Sequence, residues 1–88
     1  MFAVFTGKRD LNTRDAQMEI TFVGLYKKNK EAVKSVEKYQ KEIGANWNPN
    51  IKNMGNYEIH GTEYAYFIVP ATDNVPININ LSESFGKR

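Results

Sequence analysis

The sequence predicts a two-layer α+β domain in which one helix covers one face of a mostly antiparallel sheet of four to five strands. In the segment 17–26, apolar and polar side chains alternate at period two from Met18 to Phe22, and Val23 and Leu25 then add apolar side chains on the other side. Between Asn29 and Gly44, apolar residues recur at helical spacing instead. Short, turn-rich connections favour antiparallel pairing, which gives the order β-β-α-β-β-β for a single domain over residues 1–81.

The first strand is predicted at residues 2–6, which are apolar on both faces. Residues 7–16 are polar and rich in turn-forming residues, so they predict a long loop before the second strand at 17–26. This loop is basic, because it carries Lys8, Arg9 and Arg14. We expect it to supply part of a basic surface.

The helix is predicted at residues 30–43. Asn29 is a suitable N-cap, and Gly44 stands where a helix-ending glycine is expected. One apolar stripe, spanning about 120° of the helical wheel, contains Ala32, Val33, Val36, Tyr39, Gln40 and Ile43. We expect this stripe to pack on the sheet.

A loop is predicted at residues 45–56, which include five asparagines and Trp47. Strands are predicted at 57–60 and 63–69, with Gly61-Thr62 as a type II′ hairpin turn between them.

The predicted domain ends with a last strand and a tail. Residues 75–81 alternate apolar and polar side chains and contain Pro76, which is typical of an edge strand. Residues 82–88 predict a flexible C-terminal tail.

The segment 63–69 is apolar on both faces, whereas one helix covers only one face of a sheet. If Ala65, Phe67 and Val69 face the helix, then Tyr64, Tyr66 and Ile68 lie on an open face. That face predicts a partner-binding surface made of Tyr57, Tyr64 and Tyr66, with Trp47 beside it. Trp47 has an alternative role as a lid folded back on the end of the sheet, and each tyrosine has core packing as its alternative.

A row of lysines lies on the predicted helix, on the side away from the apolar stripe. It spans about 80° of the helical wheel and contains Lys30, Lys34, Lys38 and Lys41. Such a row suits a phosphate backbone or an acidic protein surface, and it is equally typical of a solvated helix face.

The composition argues against catalysis and against metal or cofactor binding. The chain of 88 residues has no cysteine and one histidine, which excludes thiolate chemistry and a multi-histidine metal site within one chain. His60 has Glu58 and Glu63 nearby in sequence, which predicts a surface contact. We expect a cytoplasmic protein, because no apolar run approaches the roughly 20 residues of a membrane span and the N-terminus does not resemble a signal peptide.

We therefore expect a small non-catalytic protein–protein interaction module. Nine lysines against three arginines, together with ten asparagines, are typical of an AT-rich genome. With the small size, they suggest a phage or mobile-element accessory protein that binds a host protein and inhibits or redirects it. The alternative is a nucleic-acid-binding domain that uses the lysine row and the basic loop. A homodimer through the open sheet face or the 75–81 strand is compatible with either function.

Overall fold

The computed structural model describes residues 1–49 and 54–71. Within these ranges the chain forms one helix and a four-stranded antiparallel sheet, so the predicted α+β class is confirmed. The elements are β1 (Phe2–Asp10), β2 (Glu19–Tyr26), α1 (Asn29–Ile43), β3 (Met54–Ile59) and β4 (Thr62–Pro70). The strand predicted at 75–81 and the tail predicted at 82–88 lie outside the described residues. No helix in the described part is long and apolar enough to cross a membrane.

The strand order across the sheet is β2-β1-β4-β3. Each neighbouring pair is antiparallel, so the β1–β2 and β3–β4 hairpins lie side by side. The long ladder between β1 and β4 holds the two hairpins together. The sheet is open, with β2 and β3 at its edges.

Two strands begin or end differently from the sequence prediction. β1 continues to Asp10, four residues beyond the predicted end, because its residues pair with β4 over that whole length. Lys8 and Arg9 therefore belong to a strand and not to the predicted basic loop. β3 begins at Met54, three residues before the predicted start, because Met54 already pairs with Phe67 of β4.

The turn between β3 and β4 is His60-Gly61, one residue earlier than predicted. Ile59 pairs with Thr62, and the two residues between them have φ angles of 50° and 76°. Positive φ at both central positions is the requirement of a type I′ turn, so the predicted type II′ turn was wrong. The Leu11 backbone N–H donates to the Gly61 carbonyl at 2.8 Å, which ties this turn to the first loop.

The predicted helix is confirmed over its full length, but its N-cap is one residue earlier than predicted. Lys28, and not Asn29, is the N-cap, and its backbone N–H donates to the Glu31 carboxylate at 3.2 Å. Gly44 ends the helix with φ 73°, in the left-handed region that glycine adopts at low cost. The predicted apolar stripe is the packed side: Ala32, Val33 and Val36 are buried, and Tyr39, Gln40 and Ile43 are half-buried.

The core lies between α1 and one face of the sheet. It consists of Val4, Ala32, Val33, Val36, Tyr66 and Ile68, with Phe2, Tyr26 and Trp47 packed against it. Tyr66 and Ile68 therefore face the helix, and the predicted orientation of 63–69 was wrong. The Tyr66 ring occupies space that Gly55 leaves open on β3, since a Cβ at Gly55 would stand 2.7 Å from a Tyr66 ring carbon.

Candidate interaction surface

Two of the four aromatic residues predicted to bind a partner, Tyr66 and Trp47, pack against each other next to the helix. Tyr66 is only 1% exposed. Trp47 packs edge-on against it, with ring centroids 4.9 Å apart, and stacks on Tyr39 of α1 at 6.1 Å. The Gln40 amide donates to the Trp47 carbonyl at 2.9 Å and fixes the loop to the helix. Trp47 therefore has the lid arrangement, one of the two alternatives left open by the sequence.

Tyr57 and Tyr64 lie opposite each other on β3 and β4. They share the helix side of the sheet with Tyr66, since side chains two residues apart in a strand point to the same face. Both are half-buried. The open tyrosine face predicted from the sequence is thus absent from the described residues. Tyr66 offers no surface to a partner, and partner binding by Tyr57 and Tyr64 stays a prediction.

Two tyrosines on the helix side of the sheet have raised pKa values. Burial raises the pKa of Tyr39, and the nearby Tyr64 and Glu42 side chains raise it further. Burial alone raises the pKa of Tyr66. Tyr39 and Tyr66 therefore keep their protons to a higher pH than an exposed tyrosine does.

The predicted basic residues of the N-terminal region do not form one patch. Lys8 and Arg9 are successive residues of β1 and point to opposite faces of the sheet. Arg9 donates to Glu63, whose side chain is almost fully buried, and Asn56 donates to the other carboxylate oxygen at 3.0 Å. Arg9 is therefore engaged in an internal ion pair, which removes it from the basic surface.

Arg14 lies exposed in the loop after β1, in a cleft of mixed charge. The cleft has a volume of about 400 Å³, and Asp10 and Asp15 contribute to its lining together with Arg9 and Arg14. Hydrogen bonds from the Thr13 hydroxyl at 2.6 Å and the Asn12 backbone N–H at 2.9 Å lower the pKa of Asp10. The acidic residue is therefore ionised and caps the loop, as expected for an aspartate in a turn.

The four lysines predicted as a row on the helix are all exposed on α1: Lys30, Lys34, Lys38 and Lys41. The buried residues of the same helix are Ala32, Val33 and Val36, and none of the four lysines is among them. The position of the row agrees with the sequence prediction, and its function stays a prediction.

The sequence analysis missed a surface on β2. Four large apolar side chains of this edge strand are 37–55% exposed, and we name them the β2 patch: Ile20, Phe22, Val23 and Leu25. Three of them lie on the sheet face away from the helix, opposite Gly7, Phe5 and Ala3 of β1. The fourth, Val23, is the extra residue of a β-bulge, which the register shift between Val4 and Phe5 records. It lines a cleft on the helix side, together with Ser35 and Tyr39 of α1.

One residue of the β2 patch contacts an aromatic ring on the neighbouring strand β1. Phe22 packs edge-on against Phe5, with ring centroids 5.4 Å apart, yet more than half of Phe22 remains exposed. A signal for this surface was present in the sequence. The run 20–26 is apolar on both faces, and the argument applied to 63–69 applies equally to it.

Residues 1–49 and 54–71 contain no cluster of three or more histidine, cysteine or acidic side chains that would hold a metal ion. His60 is exposed at the hairpin turn. Comparison with known proteins gave no match among family models, curated proteins or solved structures.

Proposed function

We propose that this protein is a small non-catalytic protein–protein interaction module whose partner binds the β2 patch. The observation that carries this proposal is the exposure of Ile20, Phe22 and Leu25 on one face of an edge strand, with the exposed Val23 next to them at the bulge. Scattered apolar side chains are ordinary on protein surfaces, but a contiguous group of large ones is typical of an interaction site.

The surroundings of the β2 patch support the same function. Glu19 begins the strand, and Lys27 and Lys28 directly follow it, so charged residues flank an apolar centre. Interfaces between proteins have this composition, because apolar contacts exclude water at the centre while charges at the rim guide association. A partner with a complementary apolar surface fits best. The lysine- and asparagine-rich composition favours a phage or mobile element as the source, and a host protein would then be the partner.

Binding measurements on matched variants test this proposal. Phe22→Ser removes the aromatic ring of the β2 patch, whose residue is also the most exposed of the four. Met54→Ser is the control, because Met54 is an exposed apolar residue on the opposite edge of the sheet. After affinity capture with nuclease present, we expect Phe22→Ser to weaken partner binding about tenfold or more, which equals about 1.4 kcal/mol, with the fold retained. Equal affinity of wild type and Phe22→Ser would contradict the proposal.

The exposed lysine row favours nucleic-acid binding as a second candidate function. Replacing Lys30, Lys34, Lys38 and Lys41 by glutamine should leave the fold intact, because it removes mild repulsion between like charges. If the row binds DNA or RNA, the quadruple variant should bind more weakly and with a flatter salt dependence. Absence of binding by the wild type at low salt would eliminate this candidate.

A further inference from the structure

We propose that two copies of this chain pair antiparallel along their β2 strands and join two four-stranded sheets into one of eight strands. This inference rests on the proposed function in one respect, since the same strand carries the β2 patch. It goes further because it assigns the backbone edge of β2 to a second copy of this chain. The exposed side chains of the β2 patch remain available to a different protein.

The edge of β2 is suited to pairing. Within the described residues β2 pairs only with β1, so the backbone groups of its other edge have no strand partner. Natural edge strands are protected by proline, by lysine or by short length. β2 has eight residues, no proline and no lysine, and its one charged residue is Glu19 at the start. The opposite edge, β3, has six residues and carries Asn56 and Glu58.

The β-bulge sets the register of the pair. Ile20 and Leu25 lie on the same face of the sheet, because their partners Gly7 and Ala3 in β1 are separated by an even number of residues. Ile20 of one copy can therefore lie opposite Leu25 of the other with all four side chains on one face. In that register Thr21 lies opposite Gly24, and the two bulges meet at the twofold axis.

Charge complementarity favours a second copy over an unrelated strand. Antiparallel pairing in this register brings Glu19 of each copy to the end of β2 in the other, beside Lys27 and Lys28. Opposite charges then meet at both ends of the ladder, and the twofold axis repeats each contact. The two β2 patches also become neighbours, which doubles the apolar surface available to a partner on the sheet face.

The oligomeric state tests the pairing. Sedimentation velocity from low to high micromolar concentration should show wild-type dimers of twice the 10.1 kDa chain mass. Val23→Lys places a charge at the centre of the pair and should shift the dimer dissociation constant at least tenfold upward. Met54→Lys makes the same change on the β3 edge and should leave it unchanged. A wild type that stays monomeric throughout, or equal effects of the two variants, would overturn the proposal.

Cysteine cross-linking tests the register. The sequence has no natural cysteine, so only the introduced residues can form a disulfide. Ile20→Cys and Leu25→Cys chains, mixed and oxidised, should form a disulfide-linked dimer. Neither variant alone should do so, because two equivalent positions then lie five residues apart along the ladder, about 17 Å, and a disulfide needs Cβ atoms about 4 Å apart. Cross-linking of each variant alone but not of the mixture would overturn the register.

The outcomes separate this inference from the proposed function. A monomeric protein whose Phe22→Ser variant loses a captured partner would disprove the pairing and support the proposed function. A dimer with the predicted cross-links, whose Phe22→Ser variant binds a captured partner as tightly as the wild type, would support the pairing and disprove partner binding at the β2 patch.

Discussion

Arg9 and Glu63 lie directly opposite each other on the two central strands, and the Arg9 guanidinium donates to a carboxylate that is 1% exposed. Removing one member of a buried ion pair leaves the other charge without its partner, which costs far more than replacing both.

We therefore expect Arg9→Met or Glu63→Met alone to lower the free energy of unfolding by about 3–5 kcal/mol. The double variant Arg9→Met/Glu63→Met should recover most of that loss. Urea denaturation of the two single variants and the double variant measures the coupling between the residues. Additive losses would show that the pair contributes through packing of each side chain and not through its charges.

Trp47 should contribute to the stability of the folded protein. Truncation to alanine removes its contacts with Tyr39 and Tyr66, and we expect a loss of about 3 kcal/mol, at the low end for tryptophan because the residue is only partly buried. Trp47→Phe is the control. The indole Nε1 is buried without a hydrogen-bond partner among the described residues, so phenylalanine gives up ring area but no hydrogen bond. A Trp47→Ala variant with unchanged stability would indicate that the loop does not act as a lid.

Val36 tests the packing of the helix. Its side chain is fully buried between α1 and the sheet, so Val36→Ala should cost about 1–3 kcal/mol. Lys34→Ala, on the exposed side of the same helix, should change stability little. Thermal melts of the two variants give the comparison, and equal melting temperatures would mean that another side of α1 faces the core.

Alkaline pH should destabilise the protein through the tyrosines whose pKa is raised in the folded state, Tyr39 and Tyr66. The pKa of Tyr39 is raised above its ordinary 10.0 in the folded state, mainly by burial. The unfolded chain therefore loses this proton first, so the stabilisation present below pH 10.0 is lost as the pH rises through the pKa of the folded state.

Tyr39→Phe should unfold at a higher pH than the wild type, because it has no proton to lose at this position. Circular dichroism recorded during an alkaline titration measures the midpoint. Lys34→Gln, an exposed substitution on the same helix, serves as a control for general charge effects. A midpoint that is the same in Tyr39→Phe and wild type would contradict a raised pKa for Tyr39.

The helix and the succession of the described strands along the chain could be predicted, because each depends on local sequence. Spacing of apolar residues gives α1, and Gly44 marks its end. Period-two alternation at the start of the segment 17–26 predicts β2, which begins two residues later at Glu19 and ends at Tyr26. The length of β1 could not be predicted, because Lys8 to Asp10 look like a loop until β4 supplies a partner for them.

The pattern of apolar residues in the sequence could not predict which side of the sheet each β4 residue faces. A strand that is apolar on both faces has no polar face to reveal its orientation. Two distant residues decide it in this protein: Gly55 leaves space for Tyr66 on one face, and Arg9 provides a partner for Glu63 on the other. The predicted tyrosine surface failed for this reason, and the same ambiguity concealed the exposed side of β2.

The position of β1 and β4 at the centre of the sheet determines how the chain must fold. The helix and both hairpins close only short loops and form early, on the microsecond scale of such elements. The central ladder pairs Phe2 with Pro70 and Asp10 with Thr62, so every contact in it closes a loop of roughly fifty residues or more. We therefore expect the joining of the two hairpins to be the slow step of folding, and β1 gains its second neighbour only after β4 has left the ribosome. Until then, both edges of the β1–β2 hairpin are open to other chains.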